Sequence, residues 1–341
     1  MGPLSSELHL SVVVPAYNRR DLARAAVRSL LDQDLDAPYE IVVVDDGSTD
    51  GTAAAIEGMD RRVRVIRQSN QGAAVARHAG IEAARARVVA FHDSDDVAPP
   101  CKLSALLGAL NTHPQCVAAF GVTDNGKRHQ GQVVPWIEGP LDGRMIVVEN
   151  PFLWLLSHGG PIAEAMNLAA YREQCRKCSR GRSFYRAAND YDLQIRLALY
   201  GQFVHVARVT CLYAAQHVGI SISNGFGEFR QGSFALCAAD DAYRQSSRTT
   251  ELREAIRRRV EGEWPRFALG LLLMKDWRLL RHVLGVAARH SRAWNFPRAL
   301  WWALDGLVDA RTRDLPSSVV QAVRVARGLR SGVMRRCYTS V

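Results

Sequence analysis

The chain has 341 residues, 48% of them hydrophobic, and its 44 Lys and Arg against 34 Asp and Glu give a net charge of +10 at pH 7. This composition is that of a soluble globular protein. No apolar stretch reaches the roughly 18 to 20 residues needed to cross a bilayer, which excludes an integral membrane protein.

The first hundred residues repeat a strand, loop and helix pattern. Apolar strands are predicted over residues 8–14, 39–44, 63–66 and from 88, with helices over 20–33, 52–58 and 73–85. Three such units place parallel, buried strands in an α/β layered domain. Ligands of these sheets bind outside the carboxyl ends of the strands, where four polar loops are expected to converge.

The fourth strand ends in a cluster of acids. The apolar run Val88–Phe91 is followed by Asp93, Asp95 and Asp96. Crowded carboxylates repel one another, so we expect a cation between them. Mg²⁺ and Mn²⁺ prefer oxygen ligands and leave positions open for phosphate oxygens. The strand therefore predicts a divalent metal and a phosphate-bearing ligand.

The middle of the chain is predicted to hold a helix after Pro99-Pro100, strands over 116–122 and 131–136, and a helix over 151–157. Residues 172–186 are predicted to form a basic loop. Cys175 and Cys178 within it have zinc-ligand spacing but no second pair, so no zinc site is expected. Seven scattered cysteines predict reduced thiols, and no signal peptide is evident, so a cytoplasmic location is expected.

Asn189 and Asp190 precede an apolar helical pattern and are candidates to cap that helix. A carboxylate at a helix N-terminus is expected to have a lowered pKa, because the helix dipole favours its charged form. That is typical of a base that stays ionised. A further strand is predicted over 204–213.

The positive charge lies at the C-terminal end. Residues 245–341 carry 19 Lys and Arg against 8 Asp and Glu, whereas residues 1–244 are almost neutral. We predict a catalytic body over 1–244 and a basic α-helical region over 245–341. Such helices suit an anionic membrane surface, and a helical tail packed on the body explains them equally well. No nucleic-acid-binding motif accompanies the charge, so no nucleic acid partner is expected.

Taken in order, these motifs resemble family 2 glycosyltransferases over roughly residues 8 to 220. The matching segments are Ser11–Asn18, Val44–Gly51, Asn70–Gly72, Asp93–Asp96 and Asn189–Asp190. The resemblance implies the GT-A fold of nucleotide-diphospho-sugar transferases, a Rossmann-like mixed sheet flanked by helices. The basic helical region would extend it at the C-terminus.

The resemblance also implies roles for individual residues. It assigns donor nucleotide binding to Pro15, Ala16, Tyr17, Asp46, Arg77 and Asp93. Asp46 would accept a hydrogen bond from the base, which is uracil in many members, and Arg77 would meet phosphate. Asp95 would bind the metal, Mg²⁺ or Mn²⁺, and His217 corresponds to a loop histidine that approaches it in some members. A structural role explains His217 equally well.

Asp190 stands at the family's general-base position. Departure of a diphosphate needs its charge neutralised, and an acceptor hydroxyl needs a carboxylate to take its proton. The resemblance thus implies inverting transfer of one sugar, from a donor such as a UDP-sugar to a saccharide or lipid-linked acceptor, in bacterial cell-surface polysaccharide assembly. The Gln-x-x-Arg-Trp motif of processive synthases is absent.

Two departures and three alternatives accompany this interpretation. Asn189 replaces the usual Glu, which leaves proton transfer intact but puts acceptor contacts in question, and His78 replaces the usual Asn. A nucleotidyltransferase would need a Gly-x-Gly-Thr-Arg loop after the first strand, and a dinucleotide oxidoreductase a Gly-x-Gly-x-x-Gly loop. A non-catalytic scaffold would be indicated by Asp95 or Asp190 facing away from the cleft.

Overall fold

A computed structural model describes residues 8–124, 140–158, 161–163, 167–179, 188–212 and 227–291. The chain divides into two compact units, residues 1–220 and 221–341. The predicted domain division after residue 244 stays a prediction. The predicted strand over 131–136 and His217 lie outside the described residues.

The first half of the sheet follows the predicted units. Its elements are β1 (Leu10–Ala16), α1 (Arg20–Leu31), β2 (Tyr39–Asp45), α2 (Thr52–Ile56), β3 (Val63–Arg67), α3 (Ala73–Ala83) and β4 (Val88–Phe91). The strands pair in parallel in the order β3-β2-β1-β4. Strands β1, β2 and β4 are buried along their whole length, as their continuous apolar runs predict.

The second half makes the sheet mixed. Its elements are α4 (Lys102–Thr112), β5 (Cys116–Asp124), β6 (Met145–Val148), α5 (Pro151–His158), β7 (Leu168–Tyr171), α6 (Arg172–Cys178), α7 (Asn189–Leu197) and β8 (Gln202–Leu212). Strand β7 runs antiparallel between β4 and β5, and β6 runs antiparallel beside β8. Among the described residues the sheet has eight strands, in the order β3-β2-β1-β4-β7-β5-β8-β6. The predicted mixed sheet flanked by helices is confirmed.

Two local predictions are wrong. The first strand, predicted to end at residue 14, continues through Pro15 to Ala16. Strand β4 pairs with β1 only as far as Val13, and a residue without an N–H is tolerated beyond that point. The predicted basic loop begins instead with helix α6. Burial of Cys175 and Cys178, one helical turn apart, stabilises that helix.

The second unit contains α8 (Gly227–Gln245), α9 (Thr250–Leu273) and α10 (Trp277–His290), which pack against one another. Thr249 and Asp276 cap α9 and α10 with side-chain oxygens 3.3 Å from backbone nitrogens. Within the part of the chain that is described, every helix is too short or too polar to cross a bilayer.

Candidate active site

The loops after β1 and β2 are tied together at the carboxyl edge of the sheet. The Asn18 backbone N–H donates to Ser48 Oγ at 2.9 Å, and Asn18 Oδ1 accepts from the Thr49 N–H at 2.8 Å. Asn18 has φ +47°, a left-handed conformation that asparagine tolerates well. Of the predicted pocket residues in β1 and its loop, Pro15 and Ala16 are buried and Tyr17 is exposed.

Asp46 is buried and held by the loop after β3. Its carboxylate accepts from the backbone N–H groups of Gln71 at 2.9 Å and Gly72 at 2.7 Å, and from Gln68 Nε2 at 2.7 Å. A carboxylate offers about four acceptor sites, so a further donor such as a base N–H can be accommodated. Gly47, at φ +79°, is required here because a Cβ would lie 2.8 Å from the Asn70 backbone nitrogen.

The acids after β4 are paired with arginines. Arg77 Nη2 lies 2.6 Å from Asp93 Oδ1, and Arg19 pairs with Asp95. These partners offset the repulsion from which we predicted a metal, so that argument alone does not require one. Arg19 was missed at the sequence level because its partner lies in a distant loop.

The residues around Asp95 still fit a divalent metal that shares its ligands with a substrate. The Asp93 and Asp95 side chains are 26% and 17% exposed, and Mg²⁺ is commonly held by one or two carboxylates, water and phosphate oxygens. Within the described ranges there is no group of three or more His, Cys, Asp and Glu placed to hold a metal by protein ligands alone.

A buried network of polar side chains contacts the acidic loop, residues 92–96, that follows β4. Lys102 is fully buried, with Nζ 3.2 Å from His92 Nδ1, while His92 Nε2 lies 3.2 Å from the Asp96 carbonyl oxygen. Burial lowers the pKa of Lys102, and burial and the neighbouring Lys102 charge lower the pKa of His92 well below its usual range. A neutral His92 that accepts at Nδ1 and donates from Nε2 satisfies both contacts.

Sequence reasoning missed this network, although a signal was present. Lys102 shares the buried face of α4 with Leu103, Leu106 and Leu110, where a lysine is unexpected unless it has a partner. Beyond it, Cys211 Sγ lies 3.5 Å from Asp96 Oδ2, and Val97 pairs with Leu212 through backbone hydrogen bonds of 3.0 and 2.8 Å. The acidic loop is thus fixed to both β4 and β8.

Arg77 connects the acidic loop to the first turn of α7. Its guanidinium contacts both Asp93 and Asn189, and the residue is only 8% exposed. Asp190 is the next residue in the chain, and both Arg77 and Asp93 act electrostatically on its carboxylate. Asp93, a predicted donor-binding acid, and Asp190, the predicted base, therefore lie near each other.

The prediction that Asn189 or Asp190 caps α7 is wrong. Ala188 is at the cap position, without a side-chain cap, and Asp190 Oδ1 accepts from the Tyr191 N–H at 2.8 Å. The predicted direction of the pKa shift is also wrong. Burial raises the pKa of Asp190, and the Tyr191 N–H and the Arg77 charge lower it by less. A raised pKa brings a carboxylate closer to the range in which it can exchange protons at neutral pH.

Part of the chain is similar in sequence to known glycosyltransferases. Residues 11–154 match the family model of glycosyl transferase family 2. TuaG of Bacillus subtilis, described as a glycosyltransferase of teichuronic acid biosynthesis, is 46% identical over 91 residues, which is 26% of this chain and 36% of TuaG. The chain spans well under half of the length of the curated relatives it matches, between 15% and 38%.

Two solved structures share the fold. Residues 1–349 of S. aureus TarS with UDP-GlcNAc have 17% identity and a TM-score of 0.53, over 83% of this chain and 92% of that TarS fragment. The mannosyltransferase PcManGT of Pyrobaculum calidifontis with GDP-Man and Mn²⁺ has the same identity and TM-score, over 99% and 89% of the two chains. The GT-A fold class is confirmed, and the sequence of residues 11–154 is similar to family 2 glycosyltransferases.

Proposed function

From the match of residues 11–154 to the family 2 glycosyltransferase model, we propose that this protein transfers a single sugar from a nucleotide-sugar donor to an acceptor hydroxyl with inversion. The observation that carries the proposal is the contact of Arg77 with both Asp93 and Asn189. This contact joins Asp93, which would meet the ribose or sugar of the donor, to the first turn of the helix that carries Asp190.

The donor would lie along the carboxyl ends of β1, β2 and β4. Asp46 would accept a hydrogen bond from the base, and the exposed Tyr17 ring would stack on it. Arg77 would meet phosphate and Asp93 the ribose or sugar. The nucleotide sugars bound by TarS and PcManGT support this donor class, and we favour a UDP-sugar.

Asp95, with Asp93 beside it, would hold Mg²⁺ or Mn²⁺ together with the donor diphosphate. The bound ion would neutralise charge on the departing diphosphate. The Mn²⁺ in PcManGT supports use of a divalent metal. His217 as a further ligand stays a prediction.

Asp190 would take the proton of the acceptor hydroxyl. Its raised pKa favours proton uptake near neutral pH, because burial disfavours the charged carboxylate. Attack from the face opposite the diphosphate would invert the anomeric centre, so no covalent sugar intermediate is needed.

The acceptor would be a saccharide or a lipid-linked saccharide of bacterial cell-surface polysaccharide. The description of TuaG supports this class. A cytoplasmic protein that uses such an acceptor would work at the inner face of the membrane, where the basic residues 245–341 would meet anionic lipid.

Calorimetry and thermal unfolding of the full chain with UDP- and GDP-sugars, with and without Mn²⁺, would test the proposal. A donor at 100 times its Kd should stabilise the fold by about 2.7 kcal/mol. Asp95→Ala should remove the metal-dependent part of binding, and Glu57→Gln, at an exposed position, serves as its control. Absence of binding by every donor would overturn the proposal and favour a non-catalytic scaffold.

A further inference from the structure

Arg19 and Arg77 both pair with acids of the loop after β4, but they are held differently. Arg77 is buried and contacts two elements, which fixes its guanidinium in place. Arg19 precedes α1, its side chain is 27% exposed, and it pairs with the 17% exposed Asp95. The Arg19 backbone is anchored separately, because its N–H donates to Thr52 Oγ1 at 3.0 Å. The Arg19 side chain can therefore change partner without moving the loop.

The Arg19 guanidinium is paired with the Asp95 carboxylate, which is the metal ligand in the proposed function. Two cations on one carboxylate repel each other, so a divalent ion at Asp95 requires the guanidinium to move away. A diphosphate is the natural new partner, because arginine binds phosphate oxygens through paired N–H groups. An incoming diphosphate would thus attract the Arg19 guanidinium and leave the Asp95 carboxylate accessible to the metal.

We propose that Arg19 is a binding residue that excludes the metal from Asp95 until a nucleoside diphosphate group arrives and then binds that group. The inference rests on the proposed function and deepens it. Metal and nucleotide then bind with positive coupling, since each is favoured by the position of Arg19 that the other requires. Arg77 does not exclude the metal in this way, because it pairs with Asp93 and Asn189 and not with Asp95.

The test is a set of calorimetric titrations of the full chain with Mn²⁺ alone, with UDP or GDP alone, and with each in the presence of the other. In Arg19→Gln, Mn²⁺ alone should bind about tenfold more tightly and the nucleotide alone about tenfold more weakly, within the usual 5- to 150-fold range of coupling between sites. The factor by which nucleotide improves Mn²⁺ affinity should fall accordingly. The control is Arg20→Gln, which removes the same charge from the next, exposed position and should behave as the wild type.

Arg19→Lys extends the test, because it keeps the charge but loses the paired N–H groups. It should exclude Mn²⁺ as the wild type does and bind nucleotide less tightly. Unchanged or weaker Mn²⁺ affinity in Arg19→Gln would overturn the inference and leave the proposed function standing. Failure of the wild type to bind UDP or GDP with Mn²⁺ would overturn both.

Discussion

The two units of the chain each contain acids paired with arginine, and the two sets differ in their access to solvent. In the first unit Asp93 and Asp95 lie in a loop at the sheet edge, 26% and 17% exposed. In the second unit Asp240 on α8 is only 2% exposed, and it accepts from Arg289 Nη2 at 2.6 Å and His290 Nε2 at 2.8 Å on α10. Both units pair carboxylates with basic side chains, but the carboxylate of the second unit is much less exposed to solvent.

The difference in solvent exposure distinguishes acids that can bind a ligand from acids that stabilise the fold. An acid reached by water can exchange an arginine for a metal or a phosphate-bound ion at modest cost, whereas an enclosed acid cannot lose its partners without leaving a buried charge. Burial alone would raise the pKa of Asp240, yet the hydrogen bonds from His290 and Arg289 lower it overall. Asp190 shows the opposite balance, because burial prevails and raises its pKa.

The largest expected effect is on transfer in Asp190→Asn. Loss of a general base should reduce the rate about 10²- to 10⁴-fold, while donor affinity changes little. The fold should become more stable at pH 7, because a raised native pKa means that the charged Asp190 opposes folding once the pH exceeds the pKa of the unfolded chain. Nucleotide release assays, calorimetry and thermal melts would measure the three quantities. Equal loss of donor binding and transfer would contradict the assigned role.

Asp240→Asn should act on stability instead. We expect the free energy of unfolding of the second unit to fall by roughly 2 to 4 kcal/mol, since Arg244, Arg289 and His290 lose their shared acid. Because the native pKa is lowered, the stabilisation is present above the unfolded pKa and is lost as the pH falls through the native pKa. Urea unfolding and hydrogen exchange of α8 and α10 would measure it. Asp241→Asn, at the more exposed neighbouring acid, is the control, and an equal loss there would contradict the special role of Asp240.

Arg77→Met should give an intermediate effect. Nucleotide affinity should fall about tenfold, as expected for loss of a charge-assisted contact to phosphate. The acid limb of the pH–rate profile should move to higher pH, because the Arg77 charge lowers the pKa of Asp190 and its removal lets that pKa rise further. Initial rates across pH 4 to 9, measured at saturating donor, would show the shift. An acid limb that does not shift would show that Arg77 does not influence the pKa of Asp190.

The smallest effect is expected from Arg67→Gln. Its ion pair with Glu57 is short, at 2.8 Å, but the two side chains are 59% and 48% exposed. Such pairs contribute no more than about 0.5 to 1 kcal/mol. Thermal melts at low and high salt would measure the change, and a loss comparable to that of Asp240→Asn would contradict the distinction by exposure.

Much of the fold could be predicted from local sequence. Apolar runs specify β1, β2 and β4, because a strand buried on both faces must be apolar throughout. The polar residues that follow each run marked the edge at which Asp46 and Asp93 lie. The short strand β6 and helix α6 were missed, since burial of Cys175 and Cys178 depends on packing that no local pattern reveals.

By itself, the sequence determined the order of strands and helices from β1 to β4, the carboxyl edge at which polar loops gather, and the family that those loops resemble. Only the tertiary structure decided the partners of the charges: Arg19 on Asp95, Lys102 beneath the acidic loop, and Arg77 between that loop and α7. It also decided the direction of the Asp190 pKa shift, where burial outweighs the Tyr191 N–H and the Arg77 charge. The reason is that periodicity records which residues are buried along one element, whereas the energy of a charge depends on neighbours and solvent contributed by distant parts of the chain.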